Sequence, residues 1–83
     1  MGEIDIVARR GRILAFIEVK ARRRADTAPE ALTAFQQQRI ERAALGFLQG
    51  RSDLAALDLR FDVMLVGGKR WPVHLPDAWR PEE

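Results

Sequence analysis

Two carboxylates and one ammonium group stand at positions where they could act together on a phosphodiester. Glu18 and Lys20 lie two residues apart at the end of an apolar run, and Asp5 lies in an earlier alternating segment. Side chains two apart on a strand point to the same face, about 6.6 Å apart along it. An ionised carboxylate among apolar neighbours is costly unless it is paired or bound to a metal. This pattern predicts Asp5, Glu18 and Lys20 as catalytic residues, with Asp5 and Glu18 as metal ligands.

The predicted chemistry needs a hard divalent cation. Clustered carboxylates repel one another unless positive charge lies between them. Mg²⁺ or Mn²⁺ suits oxygen ligands, usually keeps several waters, and could polarise a phosphate and supply a hydroxide. Lys20 would stabilise the charge that grows on the phosphate, or help to orient or deprotonate the attacking water. The residues thus predict Mg²⁺ (or Mn²⁺) as the cofactor and phosphodiester hydrolysis as the reaction.

The elements that must position these groups are two strands, which we expect to pair as an antiparallel hairpin. Residues 3–8 alternate between two faces, as a strand does. Residues 13–20 are apolar on both faces until Glu18, as expected of a central strand covered on each side. Gly11 suits the turn between them.

The register of this hairpin decides whether the acidic groups meet. If opposed residue numbers sum to 21 or 23, then Glu3, Asp5, Glu18 and Lys20 share one face, and a sum of 23 sets Asp5 opposite Glu18. An even sum would separate them, because a one-residue slip reverses every side chain. The turn chemistry does not choose between odd and even, so an odd register is an assumption. Glu3 is an accessory candidate.

The remaining pattern predicts an α/β fold, in which a small mixed sheet of three to four strands carries one long helix. The helix is expected from about Ala28 to Gln49, after a capping-box spacing at residues 27–30. A third strand is predicted over residues 57–66 and a brief edge strand over residues 71–75, with an irregular tail at 76–83. The expected apolar helix stripe comprises Leu32, Phe35, Ile40, Ala43, Ala44, Phe47 and Leu48.

Basic and amide side chains near the predicted site suggest contact with a nucleic acid. Arg22, Arg23 and Arg24 directly follow the second strand, so we expect them to bind phosphates near the scissile bond. Gln36 is predicted to reach the bound strand from the helix, and Gln37 is a similar accessory candidate. The arginines of the hairpin turn lie at the far end of the second strand.

Composition limits the other classes of function. The chain has 83 residues, enough for a single domain spanning residues 1–83. It has no Cys, and its lone His74 makes a zinc site improbable and leaves that residue without a predicted partner. No apolar run approaches the roughly 20 residues of a membrane span, and a cytoplasmic protein is expected. We further predict a structural ion pair between Arg60 and Asp62, and core-capping roles for Trp71 and Trp79.

The paired strand motifs resemble the YraN-like family of bacterial proteins. The resemblance rests on Gly-Glu-Ile-Asp at residues 2–5 and Glu-Val-Lys at residues 18–20, and extends to residues 37–43 and 60–63. That family is regarded as predicted endonucleases of the PD-(D/E)XK, restriction-endonuclease-like fold, similar to archaeal Holliday junction resolvases. The resemblance implies DNA, including branched DNA, as the substrate, and pairing of two copies into a homodimer.

One departure from the family leaves alternatives open. Family members usually begin with a further helix and strand before the first motif, whereas here Met1 is one residue from it. The chain is therefore expected to be an N-terminally shortened nuclease-like domain. A catalytically impaired nucleic-acid-binding module of the same fold is the first alternative, and a structural or assembly domain is the second.

Overall fold

The computed structural model describes residues 4–21 and 32–81, which form one four-stranded sheet with one helix. The strands lie side by side in chain order. The elements are β1 (Ile6–Arg10), β2 (Ile13–Ala21), α1 (Ala34–Leu48), a short 3₁₀ turn (Ser52–Leu54), β3 (Asp58–Val66) and β4 (Val73–Trp79). This mixed α/β architecture confirms the predicted fold class.

Strands β1 and β2 form the predicted antiparallel hairpin around Gly11, whose φ of 60° places it in the left-handed region. Ile6 lies opposite Ile17, so opposed residue numbers sum to 23. The register is odd, as assumed, and its continuation sets Asp5 beside Glu18. Strand β1 itself begins and ends later than predicted, because residues up to Arg10 remain paired before the turn.

Strands β2 and β3 run parallel, from Ile13 opposite Asp58 to Ala21 opposite Val66. Parallel neighbours cannot be joined by a tight turn and need a crossover. Helix α1 lies in that crossover, between the end of β2 and the start of β3. Its first turns therefore follow the end of the sheet that carries Glu18 and Lys20.

The core lies between α1 and one face of the sheet. Phe16 is fully buried, packs edge-on against Phe47 at 6.0 Å between ring centroids, and stacks on Phe61 at 5.7 Å. Trp79 extends this aromatic row by stacking on Phe61 at 5.2 Å. The buried cluster comprises Leu14, Phe16, Leu32, Ile40, Ala44, Leu54, Phe61, Val63 and Leu65.

Helix α1 begins at Ala34, not near Ala28 as predicted. Thr33 is the N-cap: its hydroxyl accepts the backbone N–H of Gln36 at 3.1 Å, and the Gln36 carboxamide oxygen accepts the N–H of Thr33 at 2.9 Å. This is a capping box, which satisfies N–H groups that the first helical turn leaves open. The predicted capping spacing at 27–30 lies outside the described residues.

The predicted apolar stripe of the helix was wrong at Phe35, which is 68% exposed. Residues five apart on a helix are about 140° apart around its axis, so Phe35 points away from the core when Ile40 points into it. Phe47 is also partly exposed, and the buried helical residues are Ile40, Ala43 and Ala44.

Strand β4 continues to Trp79, so residues 76–79 are not the irregular tail that the sequence suggested. Its pairing with β3 is interrupted by a register shift between Phe61 and Val63. Asp77 lies in this bulge with a φ of 53°, in the left-handed region. Pro76 is tolerated because β4 is an edge strand.

Candidate active site

Asp5 directly precedes β1, and its carboxylate is anchored to the neighbouring strand. The Asp5 Oδ2 accepts the backbone N–H of Val19 at 2.9 Å. Ladder pairing of β1 begins only at Ile6, so the side chain of Asp5 satisfies a β2 amide beyond the paired residues. This contact holds the carboxylate next to Glu18.

Glu18 is a partly buried carboxyl in β2, and it contacts Asp5. Burial raises the pKa of Glu18 above its ordinary value, and the charge of Asp5 and a side-chain hydrogen bond to Asp5 raise it further. The charges of Lys20 and Arg39 act in the opposite direction. Two carboxyl groups this close are held together by a shared proton or by a cation between them.

Lys20 lies two residues beyond Glu18 on the same face of β2, as the strand period requires. Its parallel partner in β3 is Leu65, and the partner of Glu18 is Val63. Both partners belong to the buried core, so Glu18 and Lys20 lie at the margin of the apolar layer under α1. The structure thus brings together Asp5, Glu18 and Lys20.

Arg39 of α1 is a further charged group at this site that the residue pattern did not single out. Its charge lowers the pKa of Glu18, which places the guanidinium within electrostatic reach of that carboxylate. The chain order contained a signal for it: a crossover helix that follows β2 begins near the end of the strand carrying Glu18. A basic residue in its first two turns is therefore expected close to that carboxylate.

The two glutamines predicted to touch nucleic acid make local contacts at the start of α1. The Gln36 carboxamide belongs to the capping box described above. The Gln37 Nε2 donates to the Leu32 backbone carbonyl at 3.1 Å. A role for either residue in nucleic-acid binding stays a prediction. Glu3, Arg22, Arg23 and Arg24 lie outside the described residues.

The donor set of Asp5 and Glu18 fits a hard cation. Within residues 4–21 and 32–81 there is no group of three or more acidic, His or Cys side chains that could hold a metal. Mg²⁺ commonly binds through one or two carboxylates and keeps several waters. Burial, and next the charge of Asp5, raise the pKa of Glu18, and a bound cation would offset both effects.

A second charged cluster lies on the opposite face of the sheet, centred on the fully buried Asp62. Arg60 donates two hydrogen bonds to its carboxylate, both at 2.9 Å, which confirms the predicted ion pair. The His74 Nε2 lies 2.7 Å from Asp62 Oδ2, so the expectation that His74 has no partner was wrong. The Asp77 backbone N–H completes the set at 2.9 Å.

The hydrogen bonds of Asp62 lower its pKa by more than burial raises it. Burial by itself would raise the pKa of Asp62, but hydrogen bonds from Arg60, the Asp77 amide and His74 lower it below the ordinary value. The carboxylate is therefore ionised and satisfied, and it joins β3 to the bulge of β4. This arrangement is a structural brace. His74 was missed because the β3–β4 register, which sets His74 opposite Met64 and on the same face as Asp62, is not visible in the sequence.

The tryptophans differ in their surroundings. Trp79 packs in the core and its Nε1 donates to Glu41 at 2.9 Å, which confirms the predicted capping role. Trp71 is 89% exposed, so the prediction that it caps the core was wrong. A surface cavity near Trp79, lined also by Ile13, Arg60 and Arg80, lies at the start of β2 and β3, away from Glu18.

These features define a class of protein: a small mixed α/β domain with an acidic pair and a lysine where β1 meets the end of β2. Residues 1–66 match the model of UPF0102, an uncharacterised protein family. The chain belongs to this family.

Similar proteins carry the same family description. The chain is 58% identical over 79 residues to a UPF0102 protein of Paramagnetospirillum magneticum, covering 95% of this chain and 61% of the relative. It is 60% identical over 80 residues to one of Parvibaculum lavamentivorans, covering 96% and 60%. It is 46% identical over 81 residues to one of Methylorubrum extorquens, covering 98% and 63%. The chain thus spans about three fifths of the length of these curated relatives.

No helix in the described part of the chain is both long and apolar enough to cross a lipid bilayer.

Proposed function

We propose that this protein is a metal-dependent endonuclease that hydrolyses phosphodiester bonds of DNA, including branched DNA. The observation that carries the proposal is the contact between Asp5 and Glu18, with Lys20 on the same face of β2. A carboxyl group whose pKa is raised by burial and by a neighbouring carboxylate, as that of Glu18 is, is costly to the fold, and such groups are concentrated at functional sites. Membership of the family supplies no activity by itself.

Asp5 and Glu18 would hold Mg²⁺ or Mn²⁺, and the ion, when bound, would supply Lewis-acid and water-activating chemistry. The hydrogen bond from Val19 fixes one oxygen of Asp5 before any ligand arrives, so less ordering is needed on binding. Lys20 would donate to a phosphate oxygen whose negative charge grows during attack, or hold the attacking water. Arg39 would add a second positive charge beside the same phosphate.

The charge balance of the site supports a polyanionic substrate. Asp5 and Glu18 bring two negative charges, while Lys20 and Arg39 bring two positive ones. A bound divalent ion would leave the site with a net positive charge, which attracts a phosphate backbone. The chain spans about three fifths of the length of its relatives, and its activity, DNA partner and dimerisation are proposals.

The test is cleavage of end-labelled linear and four-way DNA with Mg²⁺, Mn²⁺ or EDTA. We expect cleavage with either metal and none with EDTA. Glu18→Gln, Asp5→Asn and Lys20→Met should each lower the rate roughly 100-fold or more. Asp53→Asn is the matched control, because Asp53 is an exposed acid paired only with Arg51 among the described residues, and it should cut like the wild type.

The outcomes separate the alternatives. Metal-independent cleavage, or equal cleavage by Glu18→Gln, would overturn the proposed site. DNA binding without cleavage by the wild type would favour a binding module of the same fold. A protein that neither binds nor cleaves DNA would favour a structural or assembly domain.

A further inference from the structure

Helix α1 carries a row of residues that faces away from the core. Phe35, Arg39, Arg42 and Gly46 follow one another at intervals of four, three and four residues, which places them on one side of a helix. All four are exposed, whereas Ile40 and Ala44 on the other side are buried. We call this row the outer stripe.

Phe35 has no packing role in the described part of the chain. It is 68% exposed in the first turn of α1, next to Gln36, whose side chain closes the capping box. The capping box orders the helical backbone that carries the ring. An exposed aromatic ring on an ordered helix is a surface on which a nucleic-acid base can stack.

The arginines of the outer stripe are available for phosphates. The four ion pairs among the described residues involve Arg51, Arg60, His74 and Arg80, and neither Arg39 nor Arg42. Arg39 is also the residue whose charge reaches Glu18. The outer stripe thus includes a guanidinium within electrostatic reach of the proposed cleavage site.

Gly46 is unexplained by the fold itself. A Cβ added at this position would meet nothing within 4 Å, so no neighbouring group requires a glycine. Glycine weakens the interior of a helix relative to alanine. A glycine kept in open space leaves the helix backbone accessible to the close approach of a partner.

We propose that the outer stripe binds the strand next to the scissile phosphate, and that Phe35 stacks on an unpaired base there. This inference rests on the proposed function and names its substrate class: duplex DNA interrupted by unpaired nucleotides. Arg39 and Arg42 contact backbone phosphates, and the backbone at Gly46 approaches the strand. From Phe35 to Gly46 the stripe is about 16 Å long, at 1.5 Å per residue, which matches about five nucleotides of duplex rise.

The first experiment measures binding in EDTA, where the proposed cleavage does not occur. A gapped duplex and a continuous duplex of the same sequence are compared by fluorescence anisotropy, with 2-aminopurine at the unpaired position as a stacking probe. Phe35→Ala should weaken binding to the gapped duplex roughly 10-fold and abolish quenching of 2-aminopurine. Its affinity for the continuous duplex should change little. Leu59→Ala is the control, since Leu59 is an exposed apolar residue at the other end of the sheet.

The second experiment separates phosphate contact from base contact. The double variant Arg39→Gln with Arg42→Gln should weaken binding to both duplexes and reduce the slope of log affinity against log salt by about 2, since each phosphate contact contributes about 0.9. Arg80→Gln is the matched control, because Arg80 is exposed but lies outside the stripe. An unchanged slope in the double variant would overturn the proposal.

Gly46→Ala provides a test that misfolding cannot imitate. The added methyl group meets open space, so the variant should unfold at a higher temperature than the wild type. Its affinity for both duplexes should nevertheless fall several-fold. A variant that is more stable and binds DNA as well as the wild type would overturn the approach of the backbone.

The failure of this inference is distinguishable from failure of the proposed function. Wild-type cleavage together with unchanged binding by the stripe variants would overturn the outer stripe alone. Binding through the stripe without cleavage would overturn the nuclease and retain the stripe. If sedimentation shows a dimer that Phe35→Ala dissociates, a second copy covers the stripe and the DNA-binding proposal is overturned, as it is if the wild type binds neither duplex.

Discussion

The Asp5 carboxylate accepts the backbone N–H of Val19 at 2.9 Å, one residue beyond the Glu18 carboxyl that it also contacts. Asp5 is thus held by β2 although it directly precedes β1. The same side chain bonds the hairpin together and adds to the effect of burial in raising the pKa of Glu18. Structure and proposed chemistry are coupled in this one residue, and suitable substitutions can separate them.

Asp5→Asn separates charge from hydrogen bonding, because an Asn carboxamide oxygen can still accept the Val19 N–H. The charge of Asp5 and its hydrogen bond both raise the pKa of Glu18, so that pKa should fall in the variant. ¹³C NMR titration of the Glu18 carboxyl without metal measures the change. Asp53→Asn should leave the titration as in the wild type. An identical Glu18 pKa in wild type and Asp5→Asn would contradict the assignment of the acidic pair.

Glu18→Gln should raise the stability of the metal-free protein at neutral pH. The raised pKa of Glu18 means that the folded state binds the proton more tightly than the unfolded state. Stability therefore falls as pH rises from the ordinary pKa through the folded one, and the loss persists above it. Solvent screens this partly buried group, so we expect about 0.5 kcal/mol, or roughly 2–4 °C in the unfolding temperature.

The same variant should also be stabilised less by Mg²⁺ than the wild type is. Mg²⁺ at ten times its Kd would stabilise the wild type by about 1.4 kcal/mol. Glu18→Gln should lose most of this gain, because it lacks one of the two proposed carboxylate ligands. Thermal unfolding between pH 5 and 8, with and without Mg²⁺, measures both effects. Equal stabilisation of both proteins by Mg²⁺ would place the ion elsewhere.

Thr33→Ala should weaken the start of α1. The Thr33 hydroxyl accepts the Gln36 N–H, and loss of an N-cap costs about 1 kcal/mol, or roughly 4–8 °C in a domain of this size. Thr33→Ser is the matched control, since it keeps the hydroxyl and should unfold near the wild-type temperature. If Thr33→Ala unfolds like Thr33→Ser, the helix does not begin at this cap.

The strands were predictable because their patterns are local. The continuous apolar run of residues 13–20 and the alternation of residues 57–66 correspond to β2 and β3 in the structure. The odd hairpin register was one of two options that the turn chemistry left open. It is decided in the folded chain, where an odd register places Val7 and Phe16 together against the core.

The helix start and the Asp62 cluster were not predictable in the same way. Two capping-box spacings lie near the start of the helix, and the spacing alone does not show that Thr33 is the N-cap of α1. Phe35 was placed wrongly because it is apolar, although it lies about 140° from Ile40 around the helix axis. His74 reaches Asp62 because it pairs opposite Met64 on the same face of the sheet. The Asp77 amide reaches Asp62 from the bulge, and a bulge leaves no periodic signal in the sequence.

Asp62 stabilises the fold, so its removal should lower the free energy of unfolding to the same extent with and without Mg²⁺. Asp62→Ala loses the hydrogen bonds from Arg60, His74 and the Asp77 amide. We expect a loss of about 3 kcal/mol, measured by urea unfolding, with no dependence on Mg²⁺. Asp58→Ala is the control on the same strand, because Asp58 is exposed, and it should change stability little.

The stability that Asp62 contributes changes with pH in the opposite direction to the stability that Glu18 contributes. The lowered pKa of Asp62 means that its stabilisation is present above the ordinary pKa and is lost as pH falls through the folded value. The difference in unfolding free energy between the wild type and Asp62→Asn should therefore shrink from about pH 5 towards lower pH. A constant difference across that range would show that packing, and not the ionised carboxylate, joins β3 to β4.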